Sequence, residues 1–283
     1  MNYASTAAAH PNRLRRILET GGTAIGLACH TGDPHIAETL SLAGFDYLYL
    51  DQQHGVGGLG SPVDMLRATA RTGTTPLVRV AANDPVLIGR ALDAGAEGVI
   101  VPTVESAEDA RRAAAAAHYA PDGIRSWGPT RSAYGLGTDP ATVNREVLCL
   151  VMIETAEGVA RAKEIAAVPG VHGVYVGPGD LAVSLGLSPT EGPRDARHRA
   201  AVRDICAACD AAGIAAGITG DPRTESARGF RMVTAGSDVG FLKAGLADAR
   251  ARRDSLPHTD TDTDTDTDTD TDTDTDTEGD LSA

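Results

Sequence analysis

This chain of 283 residues has few aromatic side chains, few cysteines and no surplus of positive charge, and each shortage closes off a class of protein. Four cysteines in a chain of this length do not suggest a disulfide framework. Cys206 and Cys209 make a C-x-x-C, but it falls inside the helical stretch from His198 to Ala212, whereas a redox pair belongs at a helix N-terminus after a strand. Cys29 is placed to line a cavity; the default for all four is a small buried apolar residue. Lys and Arg number 25 against 39 Asp and Glu, so neither nucleic acid nor an anionic membrane surface is suggested as a partner. No apolar run approaches a membrane span in length, and Met1 to Pro11 lacks the charged start and apolar core of a signal peptide. A cytoplasmic location is expected. No G-x-G-x-x-G follows the first apolar run and no G-x-x-x-x-G-K-[ST] occurs, which leaves a nucleotide-binding fold little support.

What is there begins with charge in one place. From Thr259 the chain alternates Thr and Asp and runs into Glu278 and Asp280, eleven acids with no base, so residues 1–258 keep only about −3 of the whole chain's −14. With almost nothing apolar to bury, residues 258–283 read as a disordered acidic tail.

The rest is organised around two apolar runs that each end in a carboxylate. One is Val147 to Ile153 before Glu154 and Thr155; the other is Gly173 to Val176 before Gly177-Pro178-Gly179-Asp180. Short runs rich in Val, Leu and Ile read as buried parallel strands. A helix from Ala156 to Ala167 separates them. Similar runs start at Thr23, Asp46, Pro76, Gly98 and Ile214, and an eighth is expected at Val239 to Leu242. Helices fill the gaps, the one after Ser61-Pro62 with an N-cap and an N1 proline. A long polar loop spans Tyr119 to Asn144, and a loop of that length is rarely idle. Eight strand–helix units predict a single (β/α)₈ barrel over residues 23–257, behind an N-terminal extension and leading helix at 1–22. A doubly wound sheet is the second choice.

In such a barrel the C-terminal strand ends carry the chemistry. They would bring together Asp51, Gln53 and His54 from strand two, Arg79 from strand three, Glu154 from strand five, and Gly179 with Asp180 from strand six. Two carboxylates facing one cavity repel unless a cation lies between them or one is protonated. Hard divalent ions take such oxygen ligands. The set fits a 2-oxo acid chelated by the ion. Arg79 would donate to the oxygen that becomes an enolate, and His54 would move a proton. The backbone N–H groups of Gly179 and Asp180 would receive the carboxylate. Each residue also has a plain structural reading, as an N-cap, a loop residue or an ion-pair partner; the joint location favours function. Lys243, expected at the end of strand eight, keeps a Schiff-base aldolase open.

At these residues the chain resembles the HpcH/HpaI family of metal-dependent pyruvate aldolases. The matching segments are Ala43 to Gly55, Pro76 to Val80 with Asn83-Asp84-Pro85, Gly123-Ile124-Arg125, Val151 to Thr155 and Gly177 to Leu181. They keep their order and span about Gly26 to Leu246. The resemblance implies a (β/α)₈ barrel, assembled as a hexamer or trimer of dimers. It also implies reversible cleavage of a 4-hydroxy-2-oxo acid to pyruvate and an aldehyde through a metal-bound enolate. Glu154 and Asp180 match the ligands of a divalent ion such as Mg²⁺, Mn²⁺ or Co²⁺. Arg79 matches the residue on the keto oxygen, and His54 the base acting through metal-bound water. Asp93 matches an aspartate that pairs with this histidine from a neighbouring subunit, and Asp51 an acidic position behind the residues that touch substrate. Gln52-Gln53 and Met152 depart from the family pattern, which carries Gly-Glu and Gln there. A lyase of the citrate-lyase-β or malyl-CoA type and a catalytically silent binding barrel are the alternatives.

Overall fold

The computed structural model describes residues 10–57, 62–70 and 72–256. The Thr-Asp tail, the first nine residues and Ser61 lie outside them. The chain divides into two compact units, residues 1–244 and 245–283.

The first unit holds the expected barrel. Eight parallel strands close in chain order: β1 (Ala24–Cys29), β2 (Tyr47–Asp51), β3 (Thr75–Arg79), β4 (Gly98–Val101), β5 (Leu148–Ile153), β6 (Gly173–Val176), β7 (Ala215–Thr219) and β8 (Met232–Ser237), which returns to β1. The helices are α1 (Arg13–Glu19), α2 (Pro34–Leu42), α3 (Val63–Thr69), α4 (Pro85–Asp93), α5 (Ala107–Ala117), α6 (Pro140–Glu146), α7 (Ala156–Ala160), α8 (Ala162–Ala166), α9 (Pro178–Ser184), α10 (Ala196–Ala212), α11 (Pro222–Ala227) and α12 (Asp238–Asp254). Four of them open on the same dipeptide. Asp33, Asp84, Asp139 and Asp221 each accept a backbone N–H of the first turn, and a proline follows at the first helical position, where it has no bond to lose.

Apolar side chains fill two layers. One lies between strands and helices. The other fills the barrel interior, with Leu14 and Leu18 of α1 in the same cluster. Three buried tyrosines cross that interior. The Tyr47 hydroxyl lies 2.8 Å from Thr234 Oγ1, and the Tyr175 hydroxyl lies 2.7 Å from Thr234 Oγ1 and 2.9 Å from Thr219 Oγ1. Buried phenols need such partners. Gly26 makes room for them, since a Cβ there would fall inside the Tyr47 ring.

The structure corrects the sequence reading in several places. β8 is Met232–Ser237, not Val239–Leu242, which forms the first turn of α12. A four-residue apolar run has no period long enough to separate strand from helix. The true strand was hidden by the polar Thr234 and Ser237 within it; Thr234 is buried against the hydroxyls of Tyr47 and Tyr175. Lys243 therefore lies exposed on α12, without the apolar pocket a Schiff-base lysine requires. The stretch 156–167 is two short helices broken at Arg161. Pro62 is the N-cap of α3 rather than its first helical residue. The loop from Tyr119 contains a 3₁₀ turn at Ser132–Tyr134 and α6.

At the foot of the barrel, just before β4, Glu97 is buried, with His10 Nε2 3.3 Å from its Oε1. Burial, with the negative charge of Glu146 added, pushes its carboxyl from 4.5 up to about 8. The folded chain thus holds a proton that the unfolded chain releases near 4.5. That stability is complete below the unfolded value and is lost as pH rises toward 8. We expect the melting temperature to fall between about pH 5 and about pH 8, and Glu97→Gln to flatten the fall and melt higher at the alkaline end. Thermal melts across that range check this; a variant with an unchanged profile would show that the group is charged throughout.

Candidate active site

Asp51 is the hub of the barrel mouth. It ends β2 in direct register with Arg79 at the end of β3. Arg79 grips it with both arms, Nε to Oδ1 at 2.8 Å and Nη2 to Oδ2 at 2.6 Å. His30, just after β1, places Nδ1 2.7 Å from Oδ2. The backbone N–H groups of Gln53 and His54 donate to Oδ1. Burial works against charge here, but the hydrogen bonds from His30 and Arg79 and the Arg79 charge hold the Asp51 carboxyl well below the usual carboxylate range. The guanidinium of Arg79 also lies over the Tyr49 ring, 5.6 Å from its centroid.

Glu154 follows β5 and is buried. Its Oε1 accepts the backbone N–H of Thr103 at 2.7 Å. Its Oε2 is buried with no hydrogen-bond partner. Burial pushes the carboxyl up, and the negative charge of Asp180 adds to this against the pull of the Thr103 N–H and of Arg79. Gly177, next along β6, is open for a reason: a Cβ there would fall on Glu154 Oε2. Thr103 is the sole non-glycine with positive φ, at 55°, among the described residues. For a β-branched residue that backbone is strained, and here it aims an N–H at a site carboxylate. Asp180 lies exposed in the first turn of α9, after Gly179.

The fold thus gathers Asp51, Arg79, Glu154, Gly179 and Asp180 at the C-terminal strand ends, as the sequence led us to expect. His54 is there too, but its side chain is exposed and only its backbone is held. Asp93 is not. It is the last residue of α4, a helix of nine residues that starts from the mouth and so ends about 13 Å away toward the foot. There it accepts from Arg125 Nη2 at 2.7 Å. Three contributors escaped the sequence reading: His30, Thr103 and Asp238. The last, at the start of α12, accepts the backbone N–H of His30, Thr31 and Val239 and the Thr31 hydroxyl. His30 had one visible signal, a histidine directly after a strand.

No cluster of three or more His, Cys, Asp or Glu side chains suited to a metal ion occurs among the described residues. The donor set at Glu154 and Asp180 nonetheless suits a hard divalent ion, because one buried carboxylate oxygen is left bare beside a second carboxylate. Such an ion would draw its other ligands from substrate and water.

A closed parallel barrel with its charged groups converging at the C-terminal strand ends is the architecture of a (β/α)₈ enzyme. Residues 25–244 match the family model described as HpcH/HpaI aldolase/citrate lyase. A hydroxypyruvate/pyruvate aldolase of Rhizorhabdus wittichii is 39% identical over 224 residues, 76% of this chain and 89% of that protein. A 5-keto-4-deoxy-D-glucarate aldolase of Klebsiella pneumoniae is 36% identical over 250 residues, 84% and 96% of the two chains. Among solved structures, an HpcH/HpaI aldolase/citrate lyase family protein of Burkholderia cenocepacia superposes with a TM-score of 0.78 at 32% identity, covering 86% of this chain and all of that one. The chain belongs to the HpcH/HpaI aldolase/citrate lyase family and is a carbon–carbon lyase.

Proposed function

We propose that the protein is a metal-dependent aldolase that reversibly cleaves a 4-hydroxy-2-oxo acid to pyruvate and an aldehyde. The observation that carries the reading is the bare, buried Glu154 Oε2 beside Asp180, across the mouth from an arginine already oriented by Asp51. Glu154 and Asp180 would hold a divalent ion, Mg²⁺, Mn²⁺ or Co²⁺, which would supply Lewis-acid charge at the keto oxygen. Arg79 donates to the same oxygen as it gains enolate charge. Its direction is set in advance by the two-armed grip of Asp51, so little reorganisation accompanies the reaction. Backbone N–H groups at Gly179 and Asp180 receive the substrate carboxylate. His54 takes the proton of the C4 hydroxyl, and the breaking C3–C4 bond leaves its electrons on the pyruvate unit.

Among the described residues no carboxylate orients the His54 side chain, and Asp93 has no route to the mouth. Both fit an assembly in which Asp93 of the partner subunit approaches His54. The exposed Phe241 and Leu242 of α12, a helix with no buried residue, favour such a homo-oligomer. Light scattering on the purified protein tests it; a monomer would overturn it. Among the described residues no helix is long and apolar enough to cross a membrane, and we place the enzyme in the cytoplasm.

The test of the activity is pyruvate release from a 4-hydroxy-2-oxo acid, stimulated by a divalent ion and stopped by EDTA. Release that survives EDTA would sink the reading. Within it, His54→Ala should lower kcat by about 10²- to 10⁴-fold. Affinity for Mn²⁺, read by calorimetry, should persist because His54 is not a ligand. A variant that loses both would place His54 on the ion.

A further inference from the structure

We propose that His30 carries the proton to and from C3 of the pyruvate unit, so that the two imidazoles of the mouth divide the two proton transfers of the reaction. This rests on the aldolase reading and adds a residue to it. Cleavage must remove a proton from the C4 oxygen and deliver one to C3. Those atoms belong to different products once the bond has broken. His54 is assigned the first of them, and nothing described so far supplies the second.

The geometry points to His30. Its Nδ1 and Arg79 Nη2 meet on the same oxygen, Asp51 Oδ2, at 2.7 and 2.6 Å. The ring therefore stands beside the guanidinium assigned to the enolate oxygen, and C3 is two bonds from that oxygen. Asp51 is a buried anion taking donors on both oxygens, so it can only accept from His30. That fixes the proton on Nδ1 and leaves Nε2 as the working nitrogen, the way a carboxylate sets the tautomer of a catalytic histidine. Nε2 makes no hydrogen bond among the described residues, and 27% of the side chain stays open. The ring is also fixed in place. Asp238 holds the backbone N–H groups of His30 and Thr31, at 3.0 and 2.9 Å, and the Tyr49 ring meets the imidazole edge-on with centroids 6.4 Å apart. Of the two histidines at the mouth, the one oriented by a carboxylate among the described residues is thus His30, whereas the His54 side chain is exposed.

The steps balance. His54 takes the C4 hydroxyl proton as the C4–O bond becomes a carbonyl. The C3–C4 pair passes into the enolate held by Arg79. His30 Nε2 relays a proton from water at its open edge to C3, and the proton gathered by His54 returns to that water, so both imidazoles end neutral. In the synthetic direction, neutral His30 removes a methyl proton from pyruvate.

Exchange of the pyruvate methyl protons with deuterium, followed by NMR with Mg²⁺ present, isolates the C3 step from cleavage. His30→Ala should slow exchange by about 100-fold or more, and added imidazole should restore part of the rate. The ratio of exchange to cleavage should fall in His30→Ala and rise in His54→Ala. Oxalate binding by His30→Ala, read by calorimetry, should persist. A second reading needs no variant and no metal. Nitrogen NMR of the metal-free protein should show His30 protonated at Nδ1 and bare at Nε2, and this preference should weaken in Asp51→Asn. Exchange undiminished in His30→Ala, a loss that imidazole does not relieve and oxalate binding shares, or a bare Nδ1 would overturn the role of His30 while leaving the aldolase intact. No exchange in the unaltered enzyme with Mg²⁺ would remove the aldolase reading itself, and this inference with it.

Discussion

Replacing Arg79 with alanine is expected to lower kcat by about 10²- to 10³-fold or more, the usual loss when one preorganised donor to a developing oxyanion is removed. Exchange of the pyruvate methyl protons should stop as well, since enolate formation itself would lose its charge stabilisation. The same change carries a folding penalty. The Asp51 side chain is fully buried and that of Arg79 is 13% exposed, so the variant strands a carboxylate that was paired. Removing one partner of a buried pair costs about 3–5 kcal/mol. The lower end applies here, because His30 and two backbone N–H groups still hold Asp51. Arg79→Lys separates the two effects. It keeps a cation beside Asp51 but loses the two-armed geometry, which a point charge cannot reproduce. Its stability should recover more than its turnover. If Arg79→Lys instead turns over as the unaltered enzyme does, Arg79 is a structural counter-charge and the enolate assignment is wrong.

Much of this site was legible because its residues stand at the ends of apolar runs. Asp51, Arg79 and Glu154 each close an apolar run of four to six residues that reads as buried strand, Asp180 follows another after Gly177-Pro178-Gly179, and a parallel barrel sends all such ends to one mouth. Contacts between residues far apart along the chain left no such mark. The bond between His30 and Asp51 joins residues 21 apart, and the bonds from Asp238 to the His30 loop span more than 200. Asp238 was further hidden because the eighth strand was placed too late in the chain. Thr103 is a common residue whose backbone angle, not its identity, sets its part in the site. Asp93 shows the opposite case. The resemblance supplied its position, and the single chain puts it at the far end of α4, paired with Arg125.

Glu154→Gln should separate stability from function more sharply than any other change. The substitution keeps the shape of the side chain and leaves Oε1 as an acceptor for the Thr103 N–H at 2.7 Å. What it removes is a buried negative charge near that of Asp180. In the metal-free protein that charge is unfavourable, since burial and Asp180 push the Glu154 carboxyl up. A carboxyl raised in the folded state binds protons more tightly there, so its contribution to stability is present below the unfolded value and declines as pH rises through the folded one. Near neutral pH the metal-free glutamine variant should therefore melt at or above the temperature of the parent. Divalent-ion affinity should fall by at least about 100-fold, beyond what loss of a supporting residue costs, and aldol cleavage should fall with it. Excess Mn²⁺ should raise the melting temperature of the parent and leave that of the variant unmoved, because only a form that binds the ion is stabilised by it. Should the metal-free variant melt well below the parent while Mn²⁺ still stabilises both alike, Glu154 would be a structural carboxylate fixing Thr103, and the ion would have to be held elsewhere.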